Sequence, residues 1–198
     1  MAIDLKNTRL ALQAALDGVV MKARANLAVT KSWTQNDGSV RRKRIETTGK
    51  LWKSLQVSEV KDEGNFLSVT ISMEDYGAFI DQGVSGTRHK TPTPSPFSFK
   101  NDGVSAGMQY SIFEWMRKKG VRMRDLGTGK FKKGKMTEKS YESLAYVIAR
   151  SVKRKGINQT FFLTKPLDAT IDTLDVILAD ALMKDLEEYL KEQEKNNK

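Results

Sequence analysis

The sequence predicts an α+β protein: a small antiparallel sheet packed by long N- and C-terminal helices, with a basic helical hairpin inserted into it. Three observations carry that expectation. Both ends of the 198-residue chain hold apolar residues at helical spacing, a stretch before residue 74 alternates apolar with polar side chains, and the positive charge is gathered in one internal segment.

Residues 3–29 set Leu5, Leu12 and Val19 seven apart, with Leu16, Val20, Ala23 and Leu27 on the adjoining ridge, the pattern of a core-facing helix. Gly18 interrupts it at a cost of about 1 kcal/mol relative to alanine, which predicts a slight bend or a close partner there. From Thr30 to Thr48 the periodicity stops, and Asn36-Asp37-Gly38-Ser39 followed by Arg41-Arg42-Lys43-Arg44 predicts a loop or mobile arm. Thr48 to Leu55 starts a short turn of helix. Gln56–Val60 and Phe66–Met73 then predict two strands of a hairpin around Lys61-Asp62-Glu63-Gly64-Asn65. In the second strand Leu67, Val69, Ile71 and Met73 share one face and Phe66, Ser68, Thr70 and Ser72 the other. The segment Asp75 to Gly83 is aromatic and glycine-rich and ends at a breaker.

Val84 to Lys100 holds Pro92, Pro94 and Pro96 together with the only histidine, His89, and predicts an extended loop anchored by Phe97 and Phe99. Residues 109–119, with Ile112, Phe113, Trp115 and Met116 before Gly120, predict a short helix with a glycine stop. A basic tip from Gly127 to Lys135 follows, then a second helix over Glu138–Lys155, so that the pair forms a helical hairpin. Thr164-Lys165-Pro166 opens the last helix, proline being favourable in a first turn. Its stripe runs through Leu167, Ile171, Leu174, Leu178, Ala181, Leu186 and Leu190.

The net charge of +10 has a location. Ile112 to Lys155 carries 14 Lys/Arg against 4 Asp/Glu, and the rest of the chain is neutral with 20 of each sign. Pro166 to Lys198 carries 9 acids against 4 lysines. A basic middle and an acidic tail favour head-to-tail protein contacts, nucleic acid, or both. The absence of cysteine excludes a disulfide framework, a thiolate metal site and a cysteine nucleophile. No apolar run reaches the roughly 18 to 20 residues of a membrane span, and the start has neither a charged n-region nor an h-region, so a cytoplasm-like compartment is expected.

Candidate chemistry is sparse. His89 stands alone, whereas zinc sites want several His or Cys at fixed spacing. Glu74, Asp75 and Asp81 are the one oxygen-ligand set a hard cation could use in a nuclease-like reaction. Gly127-Thr128-Gly129-Lys130 lacks the G-x-x-x-x-G-K-[ST] spacing of a phosphate loop. The basic hairpin is the strongest lead from composition. Its candidate contact surface is Arg117, Lys118, Lys119, Lys130, Lys132, Lys133 and Lys135, and Trp115, Phe131 and Tyr141 either stack on bases or form the hairpin's own small core.

Three stretches, in order, resemble the tail-completion or neck family of tailed bacteriophages, minor tail proteins that include the lambda-like tail-completion proteins. Thr48-Gly49-Lys50-Leu51-Trp52-Lys53-Ser54-Leu55 is similar to the family's T-G-x-L-x-x-S-[IL] element, with Gly49, Leu51, Ser54 and Leu55 on the matching positions. Asp75 to Gly83 is similar to its Y-A-x-[YF]-[VI]-E-x-G-T segment through Tyr76, Phe79 and Gly83. Gln159 to Leu167 is similar to its closing P-F-L-x-P-A through Phe161, Phe162 and Pro166. The chain has Gly77 for the alanine, Asp81 for the glutamate and Thr160 for the proline, and about 75 residues between the second and third stretches.

The resemblance implies one tail-completion-like domain over residues 1–198, with a loop and basic helical insertion over 84–158. In it Tyr76 and Phe79 bury their rings where the chain leaves the sheet, and Phe161 and Phe162 dock the last helix. It further implies a non-enzymatic virion protein without cofactor or metal, made in the host cytoplasm and built into the phage neck as a ring of six or twelve copies. Its partners would be the head connector or adaptor and the tail-terminator or tail-tube proteins, with DNA passing in the channel and no membrane. The simplest contact between neighbouring copies sets the basic insert against the acidic last helix. The alternative from composition is a basic nucleic-acid-binding protein that grips phosphates with the 112–155 hairpin, and a metal-dependent nuclease is third.

Overall fold

A computed structural model of the chain describes residues 3–34, 40–44, 49–64, 66–123 and 137–196. The fold is α+β, with two-stranded antiparallel pairs packed by long terminal helices. The elements in chain order are α1 (Lys6–Ala28), β1 (Thr30–Thr34), β2 (Val40–Arg44), α2 (Lys50–Ser54), β3 (Gln56–Val57), β4 (Lys61–Asp62), β5 (Leu67–Ser68), β6 (Ile71–Ser72) and α3 (Tyr76–Gln82). Then follow β7 (Val84–Ser85), α4 (Ala106–Lys119), α5 (Glu138–Lys155), β8 (Gly156–Ile157) and α6 (Thr164–Asn196). The chain divides into two compact units, one of Met1–Asp81 with Thr160–Lys198 and one of Gln82–Gln159.

In the first unit α1 buries Leu12, Leu16, Val19, Val20, Ala23 and Leu27, the ridge its spacing predicts. Asn26 near its end donates to the Phe162 carbonyl beside the start of α6, and Asn7 at its start donates to Asp185 far along α6, so the two long helices run antiparallel. The core joins Val20, Ala23 and Leu27 of α1 to Leu51, Leu55 and Phe162, with Val57, Ile71, Met73, Tyr76, Ile80 and Leu163 around them. Each fully buried Leu or Phe here contributes about 1.5–3 kcal/mol by leaving water. The predicted close partner at Gly18 is not found: a Cβ there meets no described atom within 4 Å.

The α6 stripe is only partly the predicted one. Pro166, Thr170, Ala181 and Asp185 are the buried positions, while Ile171 and Leu190 are exposed. Apolar residues lie on more than one side of this 33-residue helix, so spacing alone does not single out the core face.

Within the loop or arm expected over Thr30 to Thr48, residues 30–34 and 40–44 are an antiparallel strand pair, β1 with β2, in register from Thr30↔Arg44 to Thr34↔Val40, while 35–39, with Asn36-Asp37-Gly38-Ser39, and 45–48 lie outside the described residues. A ladder is held by backbone hydrogen bonds and needs no apolar face, and so a search for apolar alternation passes over it. The 56–73 hairpin forms, broken into two ladders. Val57 pairs with Ile71 and Lys61 with Ser68, so the first strand takes four steps where its partner takes three. That extra residue is a bulge. At the break Ser58 donates its N–H to Thr70 O at 2.8 Å and its hydroxyl accepts the Thr70 N–H at 3.0 Å, which satisfies the interrupted ladder.

In the second unit α4 and α5 form the helical hairpin. Ser105 caps α4 by accepting the Met108 N–H, Gly120 ends it, and Thr137 caps α5 by accepting the Ser140 N–H. Met116, Ala145 and Ala149 are its fully buried side chains. The proline-containing segment is tied down rather than loose. β7 pairs with β8, Ser85 bridges Ser98, and the Gln159 amide exchanges hydrogen bonds with the Thr93 backbone at 2.8 and 3.2 Å. Asp102 accepts from Thr87 and from Arg154 Nε at 2.7 Å; the Thr87 hydroxyl, and then Arg154, hold its carboxyl below the ordinary aspartate range. Phe97 and Phe99 are half-buried, with the Lys153 ammonium 5.9 Å from the Phe99 ring. Among the described residues no helix is long and apolar enough to cross a membrane.

Candidate functional site

The family-like stretches meet in the core of the first unit. Leu51 and Leu55, on and just after α2, are fully buried. Ser54 is spent on local structure: its hydroxyl donates to Leu51 O at 2.9 Å and accepts the Glu74 N–H at 3.1 Å, which joins α2 to the chain entering α3. Gly49 directly precedes α2, and Tyr76 packs on the core cluster. Phe162 is fully buried and Pro166 is buried in the first turn of α6.

Two expectations fail. Phe79 is 41% exposed, because α3 turns only one side to the core and Gly77 and Asp81 occupy it. Phe161 is half-buried, held in a left-handed conformation at φ 49 with the Lys165 ammonium 5.8 Å from its ring, so Phe162 alone docks in the core. Gly77 stands where the family segment has alanine. An added Cβ would lie 2.6 Å from Met73 Sδ and 2.9 Å from Leu51 Cδ1, so the larger neighbours fill that space here.

Asp81 is the polar centre of this arrangement. It is 3% exposed, and one carboxylate oxygen accepts the N–H of Leu163 at 2.8 Å and of Thr164 at 3.4 Å while the other accepts the Thr164 hydroxyl. Its own carbonyl accepts the N–H of Thr160 and Phe161. Asp81 therefore caps the N-terminus of α6 from α3, matching an anion to the positive end of the helix dipole. These bonds occupy the carboxylate that a nuclease-like metal site would need. Glu74 is turned to Lys50 at 3.4 Å, and among the described residues no three His, Cys, Asp or Glu side chains are placed to hold a metal ion. Glu74 and Asp75 line an open depression with Ser54, Gln56, Ser72 and Met73.

Asp185 mirrors Asp81 and was not singled out by the sequence. It is 2% exposed and accepts the N–H of Asn7 and Thr8 and the Thr8 hydroxyl, so it caps α1 from α6. The available signal was a carboxylate four residues after Ala181, on the side of α6 that also carries Leu174, Leu178 and Ala181.

Of the basic contact surface, Arg117, Lys118 and Lys119 are exposed in the last turn of α4, where cations complement the helix dipole. Arg117 pairs with Glu114 at 3.6 Å and lies over the Phe113 ring. Lys130, Lys132, Lys133 and Lys135, with Phe131 and the Gly127–Lys130 stretch, lie outside the described residues. Tyr141 is half-buried with its ring edge-on to Phe113 at 6.2 Å, so it belongs to the hairpin's own core, whereas Trp115 and Tyr110 are exposed. His89 is exposed. No protein-family model, no curated protein and no solved structure matches the chain.

Proposed function

We propose that this protein is a non-enzymatic structural subunit of a phage head-to-tail junction, acting as a ring between the head connector and the tail. The supporting observation is that residues from three separated family-like stretches share one core, with Leu51, Leu55, Tyr76 and Phe162 in contact and Asp81 capping the last helix. Such convergence is what a common fold requires of motifs that are distant in sequence. Two polar side chains of those stretches, Ser54 and Asp81, are used for folding, which suits a protein that works through its surfaces. The test is quantitative mass spectrometry of purified particles, with this chain counted against the portal and the major capsid protein. A ring-like number, equal to the portal's or half of it, is expected; complete absence from particles overturns the reading.

A second reading is favoured by exposed Trp115 and Tyr110 on the same helix as Arg117, Lys118 and Lys119: a nucleic-acid grip on the α4–α5 hairpin. Titration with duplex DNA separates the two. Tight binding with a steep log–log salt slope favours the grip, and negligible affinity at physiological salt favours protein contacts alone.

A further inference from the structure

On the side of α6 away from its buried positions, Val176, Met183 and Leu190 recur every seven residues and are 62%, 59% and 60% exposed. Ala179, also exposed, falls between the first two, which gives the three-and-four spacing of a helix-pairing seam. Asp175, Asp180 and Glu187 flank this seam and are exposed. The surface is therefore an apolar line with acidic edges. It repels a polyanion and suits an amphipathic helix with an apolar centre and cationic ends.

The chain carries such a helix. The exposed side of α5 sets Tyr146 and Val147, 42% and 60% exposed, between Lys139 and Arg150. At about 1.5 Å rise per residue the two cations stand roughly 16 Å apart along the axis, and Asp175 and Glu187 roughly 18 Å apart. The two charge pairs thus match in length, with apolar side chains between them on both helices.

We propose that the outer face of α6 is a docking surface for α5 of a second copy of this chain. Each copy then offers one face and accepts on the other, and where the two contacts are made with different neighbours the interface is heterologous and copies add head to tail. The inference rests on the ring reading only for the closure of that array, and it names the contact: opposite charge selects the partner face, while Val147 and Tyr146 meet Val176, Ala179 and Met183.

The experiment is sedimentation of the full-length chain at low salt, with charge reversals on each face. Wild type is expected to self-associate, with affinity falling at least about tenfold when ionic strength rises from about 0.05 to about 0.5 M. The α6 variant Asp175→Lys/Asp180→Lys/Glu187→Lys alone, and the α5 variant Lys139→Glu/Arg150→Glu alone, are each expected to stay monomeric. Mixed in equal amounts they should assemble again, because each supplies the face that complements the other, and this rescue also shows that both are folded. A monomeric wild type, variants that still assemble, or a mixture that does not, overturns the contact. Loss of duplex binding in the α5 variant with self-association unchanged also overturns it and moves that face to nucleic acid. The ring reading fails separately, on absence of the chain from particles.

Discussion

Replacing Asp185 by alanine should loosen the first turn of α1, although the two positions are more than 170 residues apart. The N-cap residue of α1, Leu5, makes no side-chain cap, so the helix depends on Asp185 for the N–H groups of Asn7 and Thr8, at 2.8 and 2.9 Å, and for the Thr8 hydroxyl at 2.6 Å. Loss of an N-cap costs about 1 kcal/mol, up to about 2. Hydrogen bonds to a charged acceptor contribute about 1.5–3 kcal/mol, and buried donors left without a partner add to the loss. These contributions overlap, so about 3 kcal/mol is expected for Asp185→Ala. Asp185→Asn should lose about half of that, since one oxygen still accepts while the amide N–H₂ faces a donor. The assay is urea unfolding followed by circular dichroism, with the midpoint lowered and the slope unchanged. A loss below about 0.5 kcal/mol for the alanine variant would mean that the long-range cap does not hold α1.

The same carboxylate gives a pH signature. Burial pushes the Asp185 carboxyl up, but the Thr8 hydroxyl and the N–H groups of Thr8 and Asn7 outweigh burial and hold it below the ordinary aspartate range. A pKa depressed by folding contributes stability that is present above the unfolded value, about 3.9, and is lost as pH falls through the folded value. The stability gap between wild type and Asp185→Asn should therefore be full at neutral pH and shrink below about pH 4. An unchanged gap at pH 3 would refute a charged cap.

Asp81→Ala should cost about 2 kcal/mol by uncapping α6, and hydrogen exchange should quicken first at Leu163 and Thr164; protection unchanged there would sink the assignment. Gly156 has φ +80, and a Cβ on it would lie 2.2 Å from the Val84 carbonyl oxygen, so Gly156→Ala should part β7 from β8 at a cost of at least about 1–3 kcal/mol, read as lost amide protection of Val84 and Ile157. Phe162→Ala should cost about 3–5 kcal/mol in urea unfolding, while Phe161→Ala, at a half-buried and strained position, should cost less than half as much.

What was legible in the sequence was whatever depended on local pattern. The α1 ridge, the Gly120 stop of α4, the span of α5 and the opening of α6 at Thr164 follow from spacing, Gly120 and Pro166, whereas the Ser105 cap, which starts α4 at Ala106, was passed over. What was not legible depended on which of several apolar faces finds a partner. On α6 the partner is α1, and it selects Pro166, Thr170 and Ala181 over Ile171 and Leu190. Phe79 likewise reads as a core ring, yet Gly77 allows close approach on the adjoining side of α3 and leaves the ring outside. The carboxylates were hardest, because an aspartate that caps a distant helix and one that binds a cation have the same letter and differ only in what surrounds them.

The two aspartates explain how a unit built from both ends of the chain stays specified across a long insertion. Asp185, on the returning segment, caps the helix that begins the chain, and Asp81, the last residue before the insertion, caps the helix that follows it. Each long helix thus receives its cap from the other half, and neither end is satisfied alone. The insertion leaves after Asp81 and returns at Thr160, and the Thr160 N–H donates to the Asp81 carbonyl at 3.1 Å, so its ends are pinned together by the fold itself. Loop closure then costs only about 0.6 kcal/mol more for each doubling of the inserted length. A segment of this size is tolerated because it adds little entropy cost to contacts the first unit already makes.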